Sequence, residues 1–174
     1  MPERDDRMKR FLGAIDTLNE WTGWVVSWFL LPLTFLISYD VIMRYVFDRP
    51  TIWAWDLSIQ FLAVLSVLAA GYTHLHNSHI GVDILVVNRT PRTRAIIDLI
   101  TSVFFFLGVG VLLWKGWGLV LMSIRTQEIS ESYWAPPVWP LKILIIIGIF
   151  LLLLQGIAKF IRDLTTAISP KERS

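Results

Sequence analysis

The sequence predicts an all-α integral membrane protein with four transmembrane helices, and three observations carry that class. Hydrophobic residues make up 55% of the 174 positions, and the mean hydropathy is +0.58. Long runs lack any charge, which is the composition of a chain whose faces meet lipid or other helices. Aromatic and basic residues gather at the ends of those runs, as they do where a span crosses into the headgroup layer.

The first run is uncharged from Trp21 to Tyr39 and continues to about residue 47. At 1.5 Å per residue it is about 40 Å long, which exceeds a hydrocarbon layer of roughly 30 Å and implies tilt or protrusion. Trp21, Trp24 and Trp28 stand near one end and Tyr39 and Tyr45 near the other, with Pro32 as the candidate kink. Ahead of it, Met8, Phe11, Leu12, Ile15 and Leu18 recur at helical spacing among polar residues. That pattern predicts a short amphipathic helix over 1–20 in the headgroup plane.

The second span is expected over 57–75, with Gln60 as its one strongly polar interior side chain. Ala69, Ala70 and Gly71 make one section slim enough for close helix contact. Ile80 to Val87 is too short to cross and reads as a connector. Thr90-Pro91 then fits an N-cap followed by proline at the first helical position, opening a third span over 91–123. Residues 124–140, rich in proline, form a loop before a fourth span over 141–161. Together these make one membrane domain.

Orientation follows from basic residues near the span ends. Arg4, Arg7, Lys9, Arg10, Arg89, Arg92, Arg94, Lys159, Arg162, Lys171 and Arg173 fall on one side, and Arg44, Arg49, Lys115, Arg125 and Lys142 on the other. The excess predicts both termini in the cytoplasm, four spans, and the loop at 124–140 on the opposite side of the membrane. A net charge of +2 is too small to imply nucleic acid, and the absence of cysteine excludes disulfides and thiolate chemistry.

Asp40 and Arg44, four residues apart, share a helix face and can pair. An arginine inside the bilayer is costly enough to need a partner, either Asp40, Asp56 or a second protein. His76, His79 and Asp83 would lie on one face of a continued helix, which raises a metal or haem reading and, with four spans, a haem-binding anchor of a redox complex. Against it, no cysteine is available and no other span carries a histidine. No serine, histidine and acid set and no paired carboxylates suit catalysis, so the chain is read as no enzyme, with no cofactor.

The order Arg44, Tyr45, Phe47, Pro50, Trp53, Asp56, followed by Gly71 and then His79, Ile80, Val82 and Asp83, resembles the small membrane subunit of tripartite ATP-independent periplasmic (TRAP) transporters, the DctQ family. Asp56 stands where that family usually has glutamate, which shortens its reach. The resemblance implies a scaffold that binds a large, many-spanning transport subunit, in sodium- or ion-driven uptake of an organic acid delivered by a periplasmic binding protein. It would contact that subunit and the surrounding lipids through apolar helix faces and through Asp40, Arg44, Trp53, Asp56, Gly71, His79 and Asp83.

Overall fold

A computed structural model describes residues 2–76 and 91–168, which form four α-helices: α1 (Pro2–Tyr45), α2 (Ile52–Leu75), α3 (Pro91–Arg125) and α4 (Trp139–Ile168). Each contains a segment long and apolar enough to cross a membrane: Arg10–Tyr45, Ile52–Leu75, Ile96–Arg125 and Trp139–Thr165. Four apolar helices of spanning length are therefore present, and their ends differ by several residues from the expected 21–47, 57–75, 91–123 and 141–161.

One expectation changes. Residues 2–20 do not form a separate helix; they are the first part of the 44-residue α1, which continues through Pro32. At 1.5 Å per residue α1 is about 66 Å long. The buried positions explain the continuity. Ile15, Asn19, Thr22, Val26, Leu33 and Asp40 are all buried, at steps of four, three, four, seven and seven. This heptad seam packs against neighbouring helices for most of the length of α1. Phe11 and Leu18 lie outside this seam, at 56% and 43% exposed.

Contacts between helices give the neighbour order α1, α2, α4, α3, with α4 also meeting α1 near the chain termini. Gly148 of α4 lies against Val67 and the Leu68 amide of α2, and the Leu152 amide lies near Gly71, so α2 and α4 run parallel. The other two helices run antiparallel to them, as the α1–α2 stacks Phe29–Phe61 and Tyr39–Trp53 and the α3–α4 contact Phe106–Phe160 require. Missing side chains make α4 central. A Cβ at Gly148 would sit 3.1 Å from a backbone carbon of α2, and a Cβ at Gly156 would overlap the Phe105 ring of α3. Two glycines on different faces thus let one helix hold two neighbours at close range, where packing rather than hydrophobic exclusion drives association in lipid. The small core of Val26, Leu33 and Leu65 joins α1 to α2, with Phe61, Leu68 and Ala69 around it.

The α3–α4 connection is ordered by its own hydrogen bonds. Gln127, at φ 48°, follows the last turn of α3. The Gln127 amide donates to the Ile124 carbonyl and the Glu128 amide to the Ser123 carbonyl, which closes the helix with a Schellman motif. Ser130 N–H to Pro136 O (2.9 Å) and Val138 N–H to Glu128 O (3.0 Å) then fold the loop back on itself.

Candidate functional site

Polar side chains collect at the two ends of the helices. At the end holding the α1–α2 turn, Asp40 is 8% exposed. Its Oδ2 accepts from Arg44 Nη2 at 2.9 Å, the pair expected from i, i+4 spacing. Its Oδ1 accepts from the Thr51 hydroxyl. Thr51 occupies the N-cap position of α2 but makes no side-chain cap. The hydroxyl instead ties the start of α2 to α1, a role the sequence did not reveal because threonine at an N-cap ordinarily turns to its own helix. Tyr39 stacks on Trp53 beside this knot (centroids 6.2 Å apart).

Arg44 thus pairs with Asp40, and Asp56 stands apart from that pair. Asp56 Oδ2 is buried with no hydrogen-bond partner among the described residues. A carboxylate oxygen left without a donor in a low-dielectric setting is costly, so among the described residues the Asp56 side chain has an unmet requirement. The Arg44 side chain is 42% exposed. A guanidinium carries five N–H donors, so donors remain for a neighbour.

At the opposite end, which holds both termini, a network links three helices. Asn19 Nδ2 donates to Gln155 Oε1 (2.9 Å) and to the Ile15 carbonyl (3.0 Å). Gln155 Nε2 donates to Asp16 Oδ1 (3.2 Å). Arg162 also pairs with Asp16. Lys159 reaches Asp98 of α3 at 3.6 Å. Gly71 belongs here: a Cβ on it would overlap Asn19 Oδ1. The close approach expected at Gly71 is therefore real, and its occupant is an amide rather than an apolar side chain. Sequence reasoning missed this network. Gln155, the first polar side chain after twelve apolar or glycine residues from Ile143, was its available signal.

Helix α2 ends at Leu75 with His76 at its C-cap. His74 stacks on Phe105 (4.9 Å, 6°) and His76 lies against Tyr72 (4.4 Å). Among the described residues no group of three His, Cys, Asp or Glu is placed to hold a metal. His79 and Asp83, with Ile80, Val82, Thr90 and the connector at 80–87, lie outside the described residues.

Residues 33–166 match the family model described as tripartite ATP-independent periplasmic transporters, DctQ component. The chain belongs to the DctQ family. The match starts at Leu33 and so includes the Asp40–Arg44–Thr51 knot, Asp56, Gly71 and Gln155, but not Asp16 or Asn19. A DctQ relative from Vibrio cholerae serotype O1, named C4-dicarboxylate TRAP transporter small permease protein DctQ, is 28% identical over 121 residues. That alignment covers 70% of this chain and 45% of the relative, so the chain matches less than half the length of that protein.

Proposed function

We propose that this chain is the small membrane subunit of a TRAP transporter, acting as a fixed scaffold for a large transport subunit. The observation that carries the reading is where polarity lies. Ion pairs join α1 to α4 through Asp16–Arg162 and α3 to α4 through Asp98–Lys159 at one end, and Asp40–Arg44 lies within α1 at the other, while the core between them is built from Val26, Leu33, Leu65 and glycine contacts. A hydrophilic solute needs polar groups near the middle of the spans, as transporter sites have. Here Gln60 is the one strongly polar side chain in the middle of α2. A chain tied at both ends suits holding a neighbour still while that neighbour moves the solute. In this reading both termini are cytoplasmic in the inner membrane, a periplasmic binding protein supplies the substrate, and an ion gradient drives uptake. The substrate to test first is a C4-dicarboxylate, the solute class for which the Vibrio relative is named.

Arg44 and Asp56 are the proposed docking groups, since one has donors to spare and the other lacks one. Affinity-tagged chain extracted in mild detergent should bring a large membrane protein with it. Asp56→Asn and Arg44→Ala should each lower the yield of that complex and solute uptake, while the subunit still inserts. Unchanged yield and uptake in both variants would remove the docking role. Uptake of an organic acid by vesicles holding this chain alone would overturn the scaffold reading itself.

A further inference from the structure

Between α1 and α2, near the terminal end, lies a groove of about 500 Å³ lined by Thr17, Glu20, Trp21, Trp24, Ser27 and Tyr72. That volume is in the range of small-molecule sites. Its walls follow from local sequence. Positions 17, 20, 21, 24 and 27 share one helix face, and the Tyr72 ring lies where a Cβ on Gly23 would stand, so glycine sets how closely that wall approaches. Trp28 packs its edge against Trp24 (5.9 Å, 65°), and His76 backs Tyr72 (4.4 Å).

The groove has a definite polarity. Thr17 and Ser27 donate their hydroxyl protons to the carbonyls of Gly13 and Gly23, each at 2.9 Å, and so face outward with lone pairs. Glu20 adds a carboxylate that has no cationic side-chain partner among the described residues. It lies about one helical turn further along α1 than Asp16, whose pair with Arg162 marks the polar edge. The two indoles and the phenol offer π faces, which attract cations. Charge, lone pairs and rings all ask for a positively charged donor, at a depth where tryptophans commonly meet headgroups.

We propose that this groove binds the ethanolamine headgroup of a phospholipid. The ammonium sits against Trp21, Trp24 and Tyr72 and donates to Glu20 and to the hydroxyl oxygen of Thr17, while Ser27, about 15 Å further along α1, lines the far end of the groove. The indole N–H groups and the Tyr72 hydroxyl are neutral donors suited to phosphodiester oxygens. A choline headgroup offers the charge without N–H donors, and a glycerol headgroup offers no cation, so the site ranks ethanolamine over choline over glycerol lipids. This does not depend on the scaffold reading.

The test uses the delipidated full chain in mild detergent, exposed to equal amounts of phosphatidylethanolamine, phosphatidylcholine and phosphatidylglycerol with identical acyl chains, and native mass spectrometry of what stays bound. Wild type should retain one ethanolamine lipid about tenfold over the glycerol lipid, the scale of a partly desolvated cation–π and ion-pair contact. Glu20→Gln and Trp24→Leu should abolish that preference. Trp114→Leu, in the separate apolar groove between α3 and α4, should leave it intact. Glycerol or choline lipid retained as well as ethanolamine lipid by wild type overturns the proposal, as does a preference unchanged in both groove variants. If a variant loses helicity by circular dichroism, the wild-type ranking alone decides.

Discussion

An amide side chain with no solvent exposure inside a membrane helix must find its partners within the protein, and Asn19 does so unequally. Its Nδ2 makes two hydrogen bonds, whereas Oδ1 has no hydrogen-bond donor among the described residues and rests against Gly71. The contact leaves only the Cα hydrogens of Gly71, a weak C–H···O interaction, and tolerates no methyl group. Gly71→Ala should therefore destabilise the detergent-solubilised chain by about 1–3 kcal/mol, the usual cost of overpacking, measured by thermal unfolding. In Asn19→Ala/Gly71→Ala the loss should be smaller than the sum of the single losses, because alanine at 19 vacates the space that the new Cβ needs. Strict additivity would mean that the two residues do not meet. The sequence indicated that Gly71 allows close approach, but not what approaches. Asn19 and Gln155 are 136 residues apart, and a single chain holds no signal linking them beyond the rarity of such side chains in apolar runs.

At the scale of the element, the loop between α3 and α4 behaves as a clasp. Lys142, in the first turns of α4, bonds Glu128 at 2.6 Å across the backbone pairs that fold the loop. The Lys142 ammonium holds the Glu128 carboxyl below its usual value of 4.5. A carboxyl whose folded value is depressed contributes stability that is fully present above the unfolded value, and that is lost as pH falls through the folded one. Glu128→Gln should thus lower protection of the Ser130 and Val138 amides from hydrogen exchange near neutral pH, and the difference from wild type should vanish in acid, below 4.5. A difference that persists unchanged in acid would rule out the ion pair as its cause. Prolines announced this loop in the sequence; its internal pairing was not legible, because Ala135 and Gln127 adopt φ near +46° and +48° without glycine. The spans were legible since an unbroken apolar run long enough to cross a bilayer has few other uses. The start of α1 was not, because its inward face carries Asn19 and Thr22 where an apolar count looks for leucine.

For the whole molecule, the up-and-down path makes orientation a single choice. The described ends place Asp16, Asp98, Lys159 and Arg162 together, and the α1–α2 turn and the α3–α4 loop at the other end. The choice is carried by lysine and arginine: counted along the sequence, eleven flank the spans on the side of the termini against five on the other. Two of the five, Arg44 and Lys142, are paired with Asp40 and Glu128. Acidic partners count little in the positive-inside rule, so the prediction rests on the basic residues themselves. Alkaline phosphatase fused after Ser130 should be active, since it folds only outside the cytoplasm, and a fluorescent protein fused at Ser174 should fluoresce inside. Replacing Arg4, Arg7, Lys9 and Arg10 by glutamine while adding lysines at Tyr133 and Trp134 removes the imbalance and should produce a mixed population at both reporters. Inactive phosphatase at Ser130 in the unmodified chain would invert the topology and move Arg44 and Asp56 to the cytoplasmic face, where a docking partner would have to meet them instead.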